Sequence, residues 1–193
     1  MSIVVLTGRP GVGKTTLFLK VVNEIRRAGI GVFGFYCPEI RDPTLRKRIG
    51  FRIVDLRTYR EAWLAVDETL ATKLNFKVSR VRLPRIGRYL VLVDEASNLM
   101  FQAIKRLSEQ EMVLAIDEVG PMELAVPGFR EALIQTLSDV KVGLLVVHRN
   151  IDVKTTLGNV IESRNLRIFL VNEENRNVLH TYVLQEIFKV LSH

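Results

Sequence analysis

The sequence predicts an α/β domain built on a mainly parallel sheet, and three observations carry that prediction. Apolar runs of strand length recur at residues 3–6, 32–36, 112–118, 142–147 and 167–171. Between several of them lie stretches with apolar residues at helical spacing, as at 16–25 and 129–137. Strands alternating with such helices form parallel sheets covered on both faces. The first strand also runs into a glycine-rich loop, Gly8, Arg9, Pro10, Gly11, Val12, Gly13, Lys14 and Thr15, which leads directly into the first helix.

That loop has the G-x-x-x-x-G-K-T spacing of a P-loop. Its glycines let the backbone curl so that successive N–H groups point inward at phosphate oxygens, and the N-terminus of the following helix adds partial positive charge. Lys14 is placed to neutralise the β- and γ-phosphates, and Thr15 to offer its hydroxyl to Mg²⁺. The spacing therefore describes a site for a nucleoside triphosphate, not for a dinucleotide.

The length of 193 residues suits one domain over 1–193, large enough to bury a core without disulfide staples. Hydrophobic residues at 48% and charged residues at 25% exclude a disordered or fibrous chain. The net charge of +7 favours polyanions, nucleotides and nucleic acid alike, yet a solvated surface with some excess of arginine accounts for it equally simply. The lone cysteine, Cys37, excludes an intrachain disulfide framework and reads as a small buried hydrophobe in a reducing compartment. With a strand and glycine-rich loop at the very start, no secretory leader is expected, and apolar runs such as 89–93 are too short to span a membrane. A cytoplasmic location follows.

After the first helix, Arg26, Arg27, Ala28 and Gly29 read as a helix end, with basic residues and a glycine at the negative terminus. Residues 32–36 read as a strand, and Glu39 and Arg41 beyond it share one face, as a surface ion pair or as ligand contacts. Residues 50–56 and 61–66 read as strands, the first by its period of two. With the basic stretch 73–88 and the apolar run 89–93 they suggest an antiparallel region inserted in the parallel sheet. A helix is expected over 95–107, with Leu99, Ala103, Ile104 and Leu107 on its apolar stripe.

The run Met112 to Ile116 ends in Asp117 and Glu118, the pattern of a Walker B strand. A buried strand of this kind delivers Asp117 to the Mg²⁺ shell and leaves Glu118 to orient and deprotonate water. Residues 119–124 read as a tight turn and 129–137 as a helix. The strand at 142–147 ends in His148 and Arg149, polar groups able to sense the γ-phosphate, although a hydrogen-bonded structural role suits His148 as well. Residues 152–161 read as a helix and 167–171 as the last strand. Asn172, Asn175 and Arg176 then open a terminal helix at a place where a base could lie beside the P-loop.

Taken together, GRPGVGKTTL, GFYCPEIR, RIGFRIVDL, IGRY, AIDEVGPMEL and ENRN resemble the small stand-alone nucleoside-triphosphatases known from thermophiles, which have a cancer-related vertebrate relative. The combination of E-x-R, R-x-G-F and D-E-x-G-x-M-E-L is far more specific than the loop alone. The resemblance implies a RecA-like three-layer core and hydrolysis of NTP to NDP and phosphate, with tolerance for the base. It also implies nucleotide contact by residues Gly8 to Thr16 (with Thr16 itself) and by Val113, Leu114, Ala115, Ile116, Asp117, Glu118, Val119 and Gly120.

The leading expectation is thus an Mg²⁺-dependent hydrolase of ATP, GTP and other nucleoside triphosphates, with Lys14 and Glu118 as catalytic residues. A P-loop kinase uses the same loop but needs an arginine-rich lid that excludes water, which Arg80, Arg82, Arg85 and Arg88 offer. Glu118 directly after Asp117 favours water activation instead. A nucleic-acid-binding regulatory ATPase rests on positive charge alone, without the exposed aromatic residues that stack single strands, so nucleic acid is a possible but not a favoured partner.

Overall fold

The computed structural model describes residues 1–44, 46–73 and 83–192. The first half of the chain comprises β1 (Ser2–Gly8), α1 (Lys14–Arg27), β2 (Gly31–Tyr36), β3 (Glu39–Arg41), β4 (Arg48–Asp55), β5 (Glu61–Asp67), α2 (Glu68–Lys73), β6 (Arg85–Ile86) and β7 (Tyr89–Val91). The second comprises α3 (Val93–Ile104), β8 (Glu111–Val119), α4 (Pro121–Leu124), α5 (Phe129–Asp139), β9 (Val142–Val147), α6 (Val153–Leu157), a 3₁₀ turn at Gly158–Ile161, β10 (Asn165–Val171) and α7 (Leu179–Leu191).

The strands form one mixed sheet in the order β10-β1-β9-β8-β2-β4-β5-β7-β6, with β3 paired to β4. From β10 to β2 all pairings are parallel. From β2 outward they turn antiparallel, beginning with Phe35 opposite Asp55. The expected antiparallel region is therefore present but is not inserted between parallel strands. One edge of β2 is already taken by β8, so the extra hairpins add to its other edge and lengthen the sheet outward.

Period-two alternation along the parallel strands feeds two cores. Val4 and Leu6 of β1 face α1 and α7, whose residues Leu17, Phe18, Val21, Val22, Ile25, Val183 and Ile187 are buried at 3.6-residue spacing. Ile3 and Val5 face the opposite layer, where α3 and α5 bury Met100, Ala103, Phe129, Leu133 and Leu137. Each such large apolar side chain contributes roughly 1.5–3 kcal/mol of transfer free energy, which ties α1 and its leading loop to β1.

The close approach of β2 to β8 depends on Gly34. Its backbone has φ +123°, and a Cβ there would sit 1.9 Å from the carbonyl oxygen of Ala115, its register partner. Backbone on a central strand cannot yield as a side-chain tip can, so Gly34→Ala is expected to destabilise by at least ~3 kcal/mol. Urea unfolding reads this directly, and an unchanged midpoint would show that β2 and β8 are not packed this closely.

Several boundaries differ from the sequence expectation for local reasons. The run at 89–93 splits, because Leu92 N–H bonds back to Leu64 O at 2.8 Å while Leu92 O accepts the first helical bond from Ala96. Helix α3 ends at Ile104, where the Arg57 guanidinium donates to Gln102 O at 2.7 Å and Lys105 O at 2.9 Å, satisfying terminal carbonyls. Leu107, expected on the apolar stripe, lies beyond that end and is exposed. Residues 119–124 are not merely a turn, since Pro121–Leu124 form a helical turn. The helix expected over 152–161 begins after the Asp152 cap and gives way to 3₁₀ geometry at Gly158. The terminal helix starts at Leu179 because Asn172 and Asn175 lock the preceding segment: Asn172 N–H bonds to Asn175 Oδ1 and Asn175 N–H to Asn172 Oδ1, each at 2.9 Å.

Candidate functional site

The site is assembled at the carboxyl ends of β1, β8 and β9, which are successive in register around the parallel half of the sheet. The loop from Arg9 to Gly13 leaves β1 and turns into α1 at Gly13, whose φ of +105° suits glycine and directs the first helical N–H groups back over the loop. Arg9, Pro10 and Gly11 are exposed, Val12 is buried beneath them, and Lys14 and Thr15 are half-buried, with Thr16 open to solvent. The Lys14 ammonium lies across the loop, donating to Gly8 O at 3.1 Å and Arg9 O at 3.2 Å. One groove of about 450 Å³ opens at Thr15 and Thr16 and follows α1 through Leu19 and Lys20. Another, of about 680 Å³, lies between α1 and α7 at Lys20, Leu184 and Phe188. Neither groove touches the acids described next, so cavity size does not locate the chemistry here.

Those acids stand at the end of β8. Asp117 is 3% exposed and accepts a hydrogen bond from the Thr15 hydroxyl, which joins β8 to the loop across the intervening β9. Burial pushes its carboxyl up to about 7, against the opposing pull of Thr15 and Lys14. Burial also raises Glu118, while the nearby charges of Lys14 and His148 draw it down. Among the described residues, Asp117 Oδ2 and Glu118 Oε1 are buried with no hydrogen-bond partner. Buried carboxylate oxygens without partners are costly, and such orphans beside a hydroxyl fit a hard cation and an ordered water. No group of three or more His, Cys, Asp or Glu placed to hold a metal ion by themselves occurs among the described residues. Mg²⁺ needs none, since it is held by one or two protein oxygens together with phosphates and water.

His148 follows β9, and its position beside Glu118 is fixed twice. Its N–H donates to Val119 O at 3.1 Å, and its Nδ1 accepts from Asn150 N–H at 3.2 Å. With Nδ1 accepting, Nε2 is left as the ring nitrogen that can donate. Arg149 is exposed next to it. On the other side of β1, the Arg176 guanidinium reaches over the loop toward Val12 O at 3.5 Å. Asn175 is spent on Asn172 and on Leu170 O. Glu39 and Arg41 pair with each other at 2.5 Å on the exposed β3, and Glu39 also pairs with Arg48, so their polar contacts run within the β3–β4 hairpin.

Along the expected contact stretch of β8, Val113, Leu114, Ala115 and Ile116 are fully buried and paired on both strand edges, Asp117, Val119 and Gly120 at its carboxyl end are buried as well, and Glu118 is half-buried. The arginine lid also changes character. Arg85 pairs with Glu68 at 3.0 Å and Arg88 with Asp67 at 3.1 Å, while Arg80 and Arg82 lie outside the described residues.

Two polar residues behind the acids escape sequence reasoning. Glu123 is 5% exposed and its Oε2 accepts from Gly120 N–H at 3.0 Å. Cys37, half-buried at the end of β2, donates its thiol to Glu123 and receives the N–H of Glu118. The small-hydrophobe reading of Cys37 is thus incomplete, since it packs on the core yet joins a polar cluster. The available signal was Gly120-Pro121-x-Glu123, a capping box with proline at the first helical position.

Burial raises Glu123 to about 8, with the nearby Glu118 charge adding to it. The folded protein therefore holds a proton that the unfolded chain loses from about pH 4.5 upward. That part of the stability is complete below pH 4.5, falls between 4.5 and about 8, and is constant above. Metal- and nucleotide-free protein is thus expected to melt higher at pH 5.5 than at pH 8.5, with the difference reduced in Glu123→Gln. Equal slopes in both proteins would remove the buried proton from Glu123.

These features place the chain among α/β proteins with a mixed sheet and a glycine-rich strand-to-helix loop. It belongs to the NTPase family, whose model matches residues 3–184. It is 41% identical over 186 residues to the nucleoside-triphosphatase THEP1 of Hyperthermus butylicus, covering 96% of this chain and 91% of that protein. It is 36% identical to that of Sulfurisphaera tokodaii, over 95% of this chain and 94% of the relative. The solution structure of a human cancer-related nucleoside triphosphatase superposes with a TM-score of 0.75 at 30% identity, covering 97% of each chain. The crystal structure of THEP1 from Aquifex aeolicus gives 0.70 at 26% identity, over 95% of this chain and 97% of that one.

Proposed function

We propose that this protein is a nucleoside-triphosphate hydrolase that cleaves the β–γ phosphoanhydride of ATP, GTP and related nucleotides. It would do so with Mg²⁺ in the cytoplasm, as a single domain over residues 1–193 with a RecA-like P-loop core. The observation that carries this reading is the junction of Lys14 and Thr15 with Asp117 and Glu118, whose outward oxygens are buried and unpartnered. The order β10-β1-β9-β8-β2 supports the RecA-like assignment, because it sets one strand between the loop-bearing strand and the acid-bearing strand.

Each residue then has a defined task. Backbone N–H groups from Gly11 to Thr16 surround the phosphates, and Lys14 offsets their charge. Thr15 and Asp117 are the residues that would hold Mg²⁺, which when bound neutralises charge developing on the β- and γ-oxygens. Glu118 takes a proton from water as the water oxygen attacks the γ-phosphorus, and the bridging oxygen departs with the nucleoside diphosphate. The Nε2–H of His148 is available to the γ-phosphate or to Glu118. Because the acids lie on the β9 side of β1, the nucleoside is directed toward β10, where Arg176 overhangs the loop and offers a planar cation to a base.

The kinase alternative is weakened by the pairing of Arg85 and Arg88 with acids, and the nucleic-acid alternative by the similar pairing of Arg52 with Glu61 at 2.7 Å. One experiment separates all three: incubation with each nucleoside triphosphate and Mg²⁺, with and without candidate acceptors or polynucleotide, following the γ-phosphate. Release as inorganic phosphate without acceptor or polynucleotide is the expected result. Transfer to an acceptor, or turnover that requires polynucleotide, would replace this reading with the corresponding alternative.

A further inference from the structure

We propose that Cys37 and Glu123 act together as a positioning clamp that fixes the backbone on either side of Glu118, an inference that rests on the hydrolase reading above. The hydrogen bonds form a closed path. Glu118 N–H donates to Cys37 Sγ, the Cys37 thiol donates to the Glu123 carboxyl, and Glu123 Oε2 accepts from Gly120 N–H at 3.0 Å. The residue assigned to activate water is thus held at its own amide and again two residues on, by side chains from two other elements. One of these is the end of β2 and the other is α4.

The packing leaves the clamped segment little room. Around Gly120, the position a Cβ would take lies 3.0 Å from Glu123 Oε2, 3.4 Å from His148 Cβ and 3.6 Å from Glu118 Cγ. Glu123, Glu118 and His148 therefore meet at this one backbone position.

Neither side chain touches the substrate phosphates in this scheme, so the signature of the clamp is a loss in kcat with KM and nucleotide affinity preserved. A displacement of the order of 1 Å at a reacting group costs on the order of 10²-fold. Cys37→Ala and Glu123→Ala are therefore expected to lower kcat by about 10- to 100-fold while KM and the affinity for a fluorescent ATP analogue stay within about twofold. Glu123→Gln keeps an oxygen acceptor for Gly120 N–H and should recover most of the loss. Should Glu123→Ala fail to fold, Cys37→Ala decides the matter, because alanine fits a half-buried position that packs against the core on one side. Folded Cys37→Ala with wild-type kcat, or kcat and affinity falling together, overturns the clamp. Absence of phosphate release by the wild-type protein would instead overturn the hydrolase reading, so the two failures are distinct.

Discussion

Glu118→Gln is expected to bind ATP and Mg²⁺ nearly as tightly as the wild type while turning over about 10²- to 10⁴-fold more slowly. Glutamine preserves the size of the side chain and its ability to hydrogen-bond, and removes only the base. The carboxyl suits this task because burial lifts it above its ordinary value, a rise that the nearby Lys14 ammonium opposes. Asp117→Asn should differ in kind, since Asp117 receives the Thr15 hydroxyl and carries the other orphaned oxygen. Its effect should appear in the Mg²⁺ concentration needed for activity. Hydrolysis by Glu118→Gln at close to the wild-type rate would make Glu118 a structural acceptor and move the search for the base to His148.

Where local chemistry decides an element, the sequence discloses it; where distant elements meet, it does not. Residues 142–147 are legible because an unbroken apolar run of that length suits a strand buried on both faces, and β9 occupies those residues and is buried throughout. The loop from Gly8 to Thr15 is legible because its spacing is itself the mechanism. By contrast, Pro121–Leu124 is too short to show helical periodicity, and a Gly-Pro pair reads as a turn. Cys37 and Glu123 are 86 positions apart in numbering, and only the parallel pairing of β2 with β8 brings Cys37 behind the acids. Arg57 is similar: its role at the end of α3 arises from side-chain reach across more than forty residues. The outer hairpins were legible as antiparallel strands, but their attachment to the outer edge of β2 depends on which edge is already occupied.

Lys14→Ala is expected to weaken nucleotide binding and turnover together, and through two separable routes. The first is direct, since the ammonium lies over the loop at Gly8 O and Arg9 O, where it can turn to meet phosphate oxygens with charge-assisted hydrogen bonds. Removal of a preorganised donor of this kind costs on the order of 10²- to 10³-fold in rate. The second route runs through the acids. Lys14 lowers both Asp117 and Glu118, so its loss leaves burial less opposed and lets both carboxyls hold their protons to higher pH. The acid limb of kcat/KM against pH should therefore move upward in Lys14→Ala, in addition to the overall loss. Lys14→Arg restores a charge but not the compact ammonium, so it should reverse the shift of the limb more fully than the loss of rate. Folding should be unaffected, because Lys14 is half-buried and its bonds to Gly8 and Arg9 are to carbonyls near the loop surface. A folded Lys14→Ala protein with wild-type ATP affinity in a titration would remove the phosphate-binding role from this loop altogether. Weakened affinity with an unmoved acid limb would leave that role in place and separate Lys14 from the ionisation of the acids on β8.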